Sequence, residues 1–359
     1  MSNNFLSKKI LIVGHTLKGY PRNDVLVRAW QQCAEIVVSD IKNDRWRLCR
    51  FAWQLFTKGF RQDLILIVQP AQFFIFPSLV FKFFYSGQII CDNFISIYDT
   101  YIYDRRLASQ RSVKAFYYYL MDWLCCRLGD ILIFDTNSHK DYFIKTFHLS
   151  LLKKMFVLPV AVDWPRLAVL SEVEAGALPQ NKFNVLFWGN YIPLQGIEYI
   201  LKAANLLREE RNIHFTLIGN GQTKKQIFLM AEKLKLDNVT FLPPVEYEEL
   251  FRYVGSSDIC LGIFGQTDKA RRVIPNKVLE AMACGKVLVT GYNQSIADFF
   301  RDGRELIFCQ MADSQCLAQK IFEVYKEPDK FKGLGIQAQE VIKTNFSQNR
   351  QIEIIKSFL

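Results

Sequence analysis

The strongest constraint in this 359-residue chain is a rhythm: short apolar runs recur, each followed by a longer segment with helical spacing. In the first half the runs are 8–14 (KKILIVG), 34–40 (AEIVVSD), 63–69 (DLILIVQ), 87–92 (GQIICD), 130–135 (DILIFD) and 154–160 (KMFVLPV). Helices are expected over 21–33, 44–60, 71–85, 109–128 and 138–147. Strands that are apolar throughout need cover on both faces, and connections of this length return each strand parallel to its neighbour. The rhythm breaks over 159–182, which carries three prolines and a glycine, as a linker would. It resumes with strands over 184–189, 213–219, 238–242, 258–264, 286–291 and 305–309. The expectation is an α/β chain of two doubly wound, Rossmann-like domains facing each other across a cleft. The first spans 1–160, a linker 161–182 and the second 183–345, with a C-terminal helix, 346–359, packing back toward the first. Ligands of such sheets bind beyond the carboxyl ends of the strands.

Composition narrows the class. Half the residues are apolar, which argues against disorder. Nine cysteines are scattered without a CxxC pair, and His15, His139, His148 and His214 have no ligand spacing. Free thiols in a reducing compartment are expected, with no metal site. The first apolar run is too short for a secretory signal core, and no small-residue cleavage site follows it. The most apolar stretch, 73–90, contains Pro77, Lys82 and Gly87, so a buried helix followed by a turn and a strand is expected rather than a membrane span. Charge is uneven: residues 1–160 carry 21 Lys+Arg against 12 Asp+Glu, and residues 161–359 carry 24 against 23. The first half therefore expects an anionic partner, and no nucleic-acid motif is present.

The chemistry concentrates in 258–291, DICLGIFGQTDKARRVIPNKVLEAMACGKVLVTG. A strand ends near Gly265, a basic loop follows with Lys269, Arg271 and Arg272, and a helix starts after Pro275. With Lys277, four cations gather at a helix N-terminus, whose dipole and open N–H groups favour an anion such as a diphosphate. A solvated basic loop beside an ordinary core helix is the alternative. Glu280, one turn along, suits a ribose diol; taken alone, it reads as a surface glutamate.

The segment PNKVLEAMACGKVLVTG resembles the nucleotide-sugar motif of glycosyltransferase family 4, which has the GT-B fold and retaining chemistry. Further similar segments are 187–207 (FWGNYIPLQGIEYILKAANLL), 215–222, 238–245 and 256–264, in family order. The first half is less similar, through 10–23, 96–109 and 135–143. The resemblance implies that Glu280 binds the nucleotide ribose. Gly189, Asn190, Gly219, Lys269, Ile274, Pro275 and Asn276 are the donor-site candidates, with Val245 placed by position at the base pocket; Gly14 and Lys18 follow the first strand, where the cleft is expected. Two departures stand out. The first glutamate of the family pair is Arg272 here, and the arginine and lysine that usually follow the strand-end glycine are Asn190 and Gln195. We expect compensation, with Arg272 and Lys277, joined by Lys269, holding the diphosphate.

Asp99 is the candidate for orienting an acceptor hydroxyl, with a turn or capping aspartate as the alternative. The resemblance implies metal independence and no cofactor beyond the nucleoside-diphosphate sugar. Residues 44–61 form a basic amphipathic helix whose aromatic stripe is Trp46, Cys49, Trp53, Phe56 and Phe60. Either the helix packs on the sheet with the arginines in solvent, or it docks on an anionic inner leaflet. The expectation is a cytoplasmic retaining glycosyltransferase, peripheral at the inner face of the plasma membrane. It would act on a saccharide or lipid-linked acceptor in cell-surface polysaccharide or glycolipid assembly. A non-catalytic partner subunit and a sugar-nucleotide epimerase of the same fold are the rivals.

Overall fold

The structure is a computed structural model that describes residues 8–15, 17, 20–172 and 178–359. Lys18 lies outside the described residues. The chain divides into two compact units, residues 1–162 with 346–359, and residues 163–345.

The first unit runs β1 (Lys9–Gly14), α1 (Pro21–Gln31), β2 (Glu35–Asp40), α2 (Arg47–Lys58), β3 (Leu64–Ile67), α3 (Ile75–Phe84), β4 (Gln88–Asp92), α4 (Val113–Leu128), β5 (Ile131–Phe134), α5 (Asn137–Phe147) and β6 (Lys154–Val157). Among the described residues its sheet has six parallel strands, ordered β2-β1-β3-β4-β5-β6. β1, β3 and β5 are buried along almost their whole length, which accounts for their unbroken apolar sequence. One face of the sheet packs Phe51, Phe74, Phe81 and Phe143 from the helices, and the other packs Leu26 and Trp30 of α1.

The second unit runs α6 (Trp164–Ser171), β7 (Phe183–Asn190), α7 (Ile197–Leu206), β8 (Ile213–Asn220), α8 (Lys224–Leu234), β9 (Val239–Leu242), α9 (Tyr247–Ser256), β10 (Ile259–Leu261), α10 (Asn276–Ala283), β11 (Val287–Gly291), α11 (Gln294–Ala297), β12 (Ile307–Cys309), α12 (Ser314–Lys326) and α13 (Pro328–Asn345). Its strands, also parallel, are ordered β12-β11-β10-β7-β8-β9. Winding proceeds outward from β7 in one direction and from β10 in the other, so the order reverses between β7 and β10. α6 occupies part of the stretch read as a linker; it buries Leu167 and packs against α9 and α10. After α13 the chain crosses back as α14 (Gln348–Phe358), whose Ile352 and Ile355 join Trp30 in the first unit's core.

Two helices of the first unit differ from expectation. α2 is anchored by Phe51 and Leu55, not by the aromatic stripe; Trp46, Trp53, Phe56 and Phe60 face outward. The helix does pack against the sheet, through Phe51 and Leu55, an apolar face separate from that stripe. In the 73–90 stretch, helix, turn and strand occur as expected, but α3 is not buried all round: Phe76, Val80, Phe83 and Phe84 are exposed. Among the described residues no helix is long and apolar enough to cross a membrane.

Candidate functional site

The carboxyl end of β7 lies where the strand order of the second unit reverses, the position at which doubly wound sheets open a crevice. β7 ends in Phe187, Trp188, Gly189 and Asn190, with Gly189 in register with Gly219 of β8. Gly189 has φ +135°, and a Cβ there would stand 3.1 Å from Nζ of Lys277. Gly219 has φ +154°, and its Cβ would fall 2.0 Å from the Gly189 carbonyl oxygen. Only glycine meets both the backbone geometry and the space at this pair.

Lys277 approaches from α10. Pro275 precedes that helix in an extended conformation and Asn276 is its first residue, so Lys277 sits in the first turn. Its stem is buried, its ammonium donates to Gln195 Oε1 at 2.6 Å, and the nitrogen lies 3.6 Å from the centroid of the Phe187 ring. Burial pushes the Lys277 pKa well below the ordinary lysine value, with the charge of Glu280 opposing the shift. Lys277 is inside, because α10 packs closely enough to cover its stem. Gln195 stands where the family usually has a lysine, and it accepts a hydrogen bond from a lysine delivered by another element.

Glu280 is also buried, which corrects its reading as a surface glutamate. Its Oε2 accepts from Trp188 Nε1 at 3.2 Å and its Oε1 from the Tyr247 hydroxyl at 3.1 Å. Burial raises its pKa above the usual carboxylate range, and the hydrogen bonds from Trp188 and Tyr247 and the nearby Lys277 draw it back. Tyr247 opens α9, immediately after the loop that contains Val245. Burial and the Glu280 carboxylate raise the Tyr247 pKa. The sequence reading missed both Trp188 and Tyr247. A buried indole N–H usually finds an acceptor, which is the signal that could have pointed from Trp188 to a carboxylate.

The remaining expected residues fall into three groups. Lys269 lies in a 3-10 turn, Asp268–Arg271, and Arg272 closes it, its N–H donating to Lys269 O at 3.0 Å. The Arg272 carbonyl accepts from Ser295 Oγ at 2.8 Å, which fixes the backbone leading into buried Ile274 and α10. Asn190 is exposed at the end of β7. Gly14 and Asp99 belong to the first unit. Gly14 does permit a close approach, but to its own fold: a Cβ there would lie 3.0 Å from the Val68 carbonyl oxygen. Asp99 is buried at the start of a π-helical turn, Asp99–Asp104, and its N–H donates to Ser96 Oγ at 3.0 Å. It stands withdrawn from solvent rather than on an open loop. The neighbouring Asp122 collects Ser96 Oγ, the N–H groups of Ile97 and Tyr98, and Gln72 Nε2. Among the described residues no group of three or more His, Cys, Asp or Glu is placed to hold a metal ion.

Two doubly wound parallel units, with a lysine and a glutamate meeting a glycine strand end in the second, define the GT-B class of α/β proteins. Solved structures share this fold over nearly the whole chain. HepE from Anabaena, solved with UDP-glucose, superposes with a TM-score of 0.74 at 16% identity, covering 98% of this chain and 100% of that one. Sucrose-phosphate synthase from Thermosynechococcus elongatus superposes with a TM-score of 0.76 at 14% identity, covering 98% of each chain. Residues 171–341 match the family model of glycosyl transferases group 1, in line with the resemblance read from the sequence. A protein assigned to colanic acid biosynthesis in Escherichia coli K12, glycosyl transferase WcaI, is 33% identical over 108 residues, 30% of this chain and 26% of that protein. D-inositol 3-phosphate glycosyltransferase of Paenarthrobacter aurescens is 24% identical over 214 residues, 57% of this chain and 51% of that enzyme. The chain thus spans between a quarter and a half of the length of these curated relatives.

Proposed function

We propose that this chain is a retaining glycosyltransferase. It moves a hexose-type sugar from a nucleoside diphosphate to a saccharide or lipid-linked acceptor in cell-surface polysaccharide or glycolipid assembly. The observation that carries the reading is the pairing of Lys277 and Glu280 on α10, one against Gly189 and the other held by Trp188 and Tyr247. The diphosphate of the donor occupies the carboxyl end of β7, where Gly189 lets the ligand approach the backbone and Lys277 meets its charge. The first turn of α10 presents N–H groups and the positive end of the helix dipole to the same anion. Arg272 and Lys269 add charge from the turn before α10. As the glycosidic bond breaks, negative charge grows on the leaving nucleoside diphosphate, and cations already fixed in place stabilise it without reorganisation. Lys277 carries positive charge toward the anion in that step. Glu280, its orientation fixed by two donors, has lone pairs left for the ribose hydroxyls. This reading needs no metal and no cofactor besides the donor.

The comparisons support the same reading: HepE was solved with UDP-glucose, and WcaI is assigned to colanic acid biosynthesis. The first unit is the acceptor side in this proposal. Its basic helix, residues 44–61, brings the enzyme to an anionic membrane surface at the inner face of the plasma membrane.

Calorimetric titration with UDP-, GDP- and ADP-sugars tests the proposal. The expected result is binding of one donor class with slow hydrolysis of its sugar, both lost in Lys277→Met. Absence of binding across the whole panel would favour a non-catalytic subunit and refute the transferase. Turnover of a bound donor into an epimer, with no transfer, would assign the epimerase instead.

A further inference from the structure

α2 and α3 lie side by side on the first unit and both turn apolar side chains outward. The exposed positions of α3 are Phe76, Val80, Phe83 and Phe84, at the spacing of one helical stripe, and none of them is polar. Phe83 is 85% exposed, Phe84 63% and, on α2, Trp53 68%. Isolated exposed apolar residues are ordinary, but an apolar stripe on each of two adjoining helices is not. The stripes meet through a shared ring cluster: Phe56 of α2 and Phe60 of the turn after it pack on Phe81 of α3, with centroids 5.4 and 4.7 Å apart. The one cation of α3, Lys82, is turned back to pair with Asp130 at 2.6 Å, which leaves the outer stripe uncharged. Around α2 the charge is one-sided: between Lys42 and Arg61 stand six basic residues and one acidic residue, Asp44.

We infer that α2 and α3 form one bilayer-docking platform, with α3 the inserting edge and α2 its basic, tryptophan-bearing rim. Its occupant is an anionic lipid surface. Exposed phenylalanines gain by leaving water for the acyl boundary, tryptophans suit the interfacial layer, and the surplus of arginine and lysine matches anionic headgroups. This deepens the peripheral-membrane part of the proposed function, in which residues 44–61 alone make the contact, and it rests on that part only. It stands whether or not the donor reading holds.

The test uses the full chain and vesicles of equal parts phosphatidylcholine and phosphatidylglycerol, read by co-sedimentation, beside vesicles of phosphatidylcholine alone. The expected result is binding to the anionic vesicles that weakens with added salt. The double variant Phe83→Ser with Phe84→Ser leaves α2 untouched and should bind them at least about tenfold more weakly. Both side chains are exposed, so the variant keeps its fold, which circular dichroism checks. Undiminished binding by the double variant would remove α3 from the platform, and equal binding to phosphatidylcholine would refute the anionic surface. A self-associated wild type without vesicles that the variant renders monomeric in analytical ultracentrifugation would assign the platform to a second copy. Nucleoside-diphosphate titration of the same proteins separates the two proposals: wild type that binds vesicles but no donor overturns the transferase alone, and the reverse overturns the platform alone.

Discussion

Replacing Lys277 with methionine removes one ammonium and keeps the reach of the side chain. In the wild type that ammonium is buried, with Gln195 Oε1 at 2.6 Å and the face of Phe187 at 3.6 Å as its near partners. Burial outweighs these contacts and the pull of Glu280, so the folded-state pKa lies well below the ordinary lysine value. Between those two values the unfolded chain binds more protons than the folded one, so stability rises with pH across the window. For a single proton the slope reaches at most about 1.4 kcal/mol per pH unit. Lys277→Met should lack this contribution and give a flatter curve. It also leaves Gln195 Oε1 without its donor, which costs about 1–3 kcal/mol and offsets part of the relief from removing a buried charge. The effect on donor binding has a single direction. A hydrogen bond from a charged group contributes about 1.5–3 kcal/mol, so a nucleoside diphosphate should bind the variant roughly ten- to a hundredfold more weakly. Isothermal titration of wild type and variant with a nucleoside diphosphate reads this difference. Equal affinity in wild type and variant would refute the assignment of Lys277 to the diphosphate.

Three further outcomes are expected. Gly189→Ala forces a side chain onto φ +135° with its Cβ 3.1 Å from the Lys277 ammonium; stability should fall by about 1–3 kcal/mol in urea unfolding, with donor affinity falling beside it, and an unchanged midpoint would contradict the packing described. Arg22 donates twice to Asp92, at 2.8 and 3.0 Å, with both side chains buried; Arg22→Met leaves that carboxylate uncompensated and should cost about 3–5 kcal/mol, measured by the same unfolding, whereas a loss below the error of the assay would overturn the pairing. Burial holds the Asp122 pKa up at about 6 against an ordinary 3.8, so the folded state retains this proton longer than the unfolded chain does. Its contribution is present at low pH and is lost as pH rises from 3.8 to about 6, on the order of 3 kcal/mol in all. Asp122→Asn should remove that slope from a stability–pH series, and an identical slope in the variant would reject the assignment.

The sequence by itself determined the class of fold. Strands such as ILIVG, LILI and ILIF are apolar at every position, and such strands are stable only between two layers of helices. The spacing of strands and helices then left little choice but parallel, doubly wound sheets. It also marked the segment that carries α10, because glycine, proline, cations and a glutamate at fixed offsets are local signals. Tertiary structure decided what those residues face. Nothing local to PNKVLEAMA tells that Lys277 turns inward to Gln195, 82 residues earlier, or that Glu280 is held by Trp188 from one element and Tyr247 from another. Gly14 shows the same division: its need for a small residue was legible, but the close neighbour is Val68, on the segment following β3, and not a ligand. In α2 the periodicity marked the aromatic stripe as one helix face but did not mark the face the sheet covers. The sheet took Phe51 and Leu55, which left the tryptophans and Phe56 outside. Periodicity along a chain fixes which residues share a face; which face is buried depends on neighbours that are distant in sequence, and only folding brings them there.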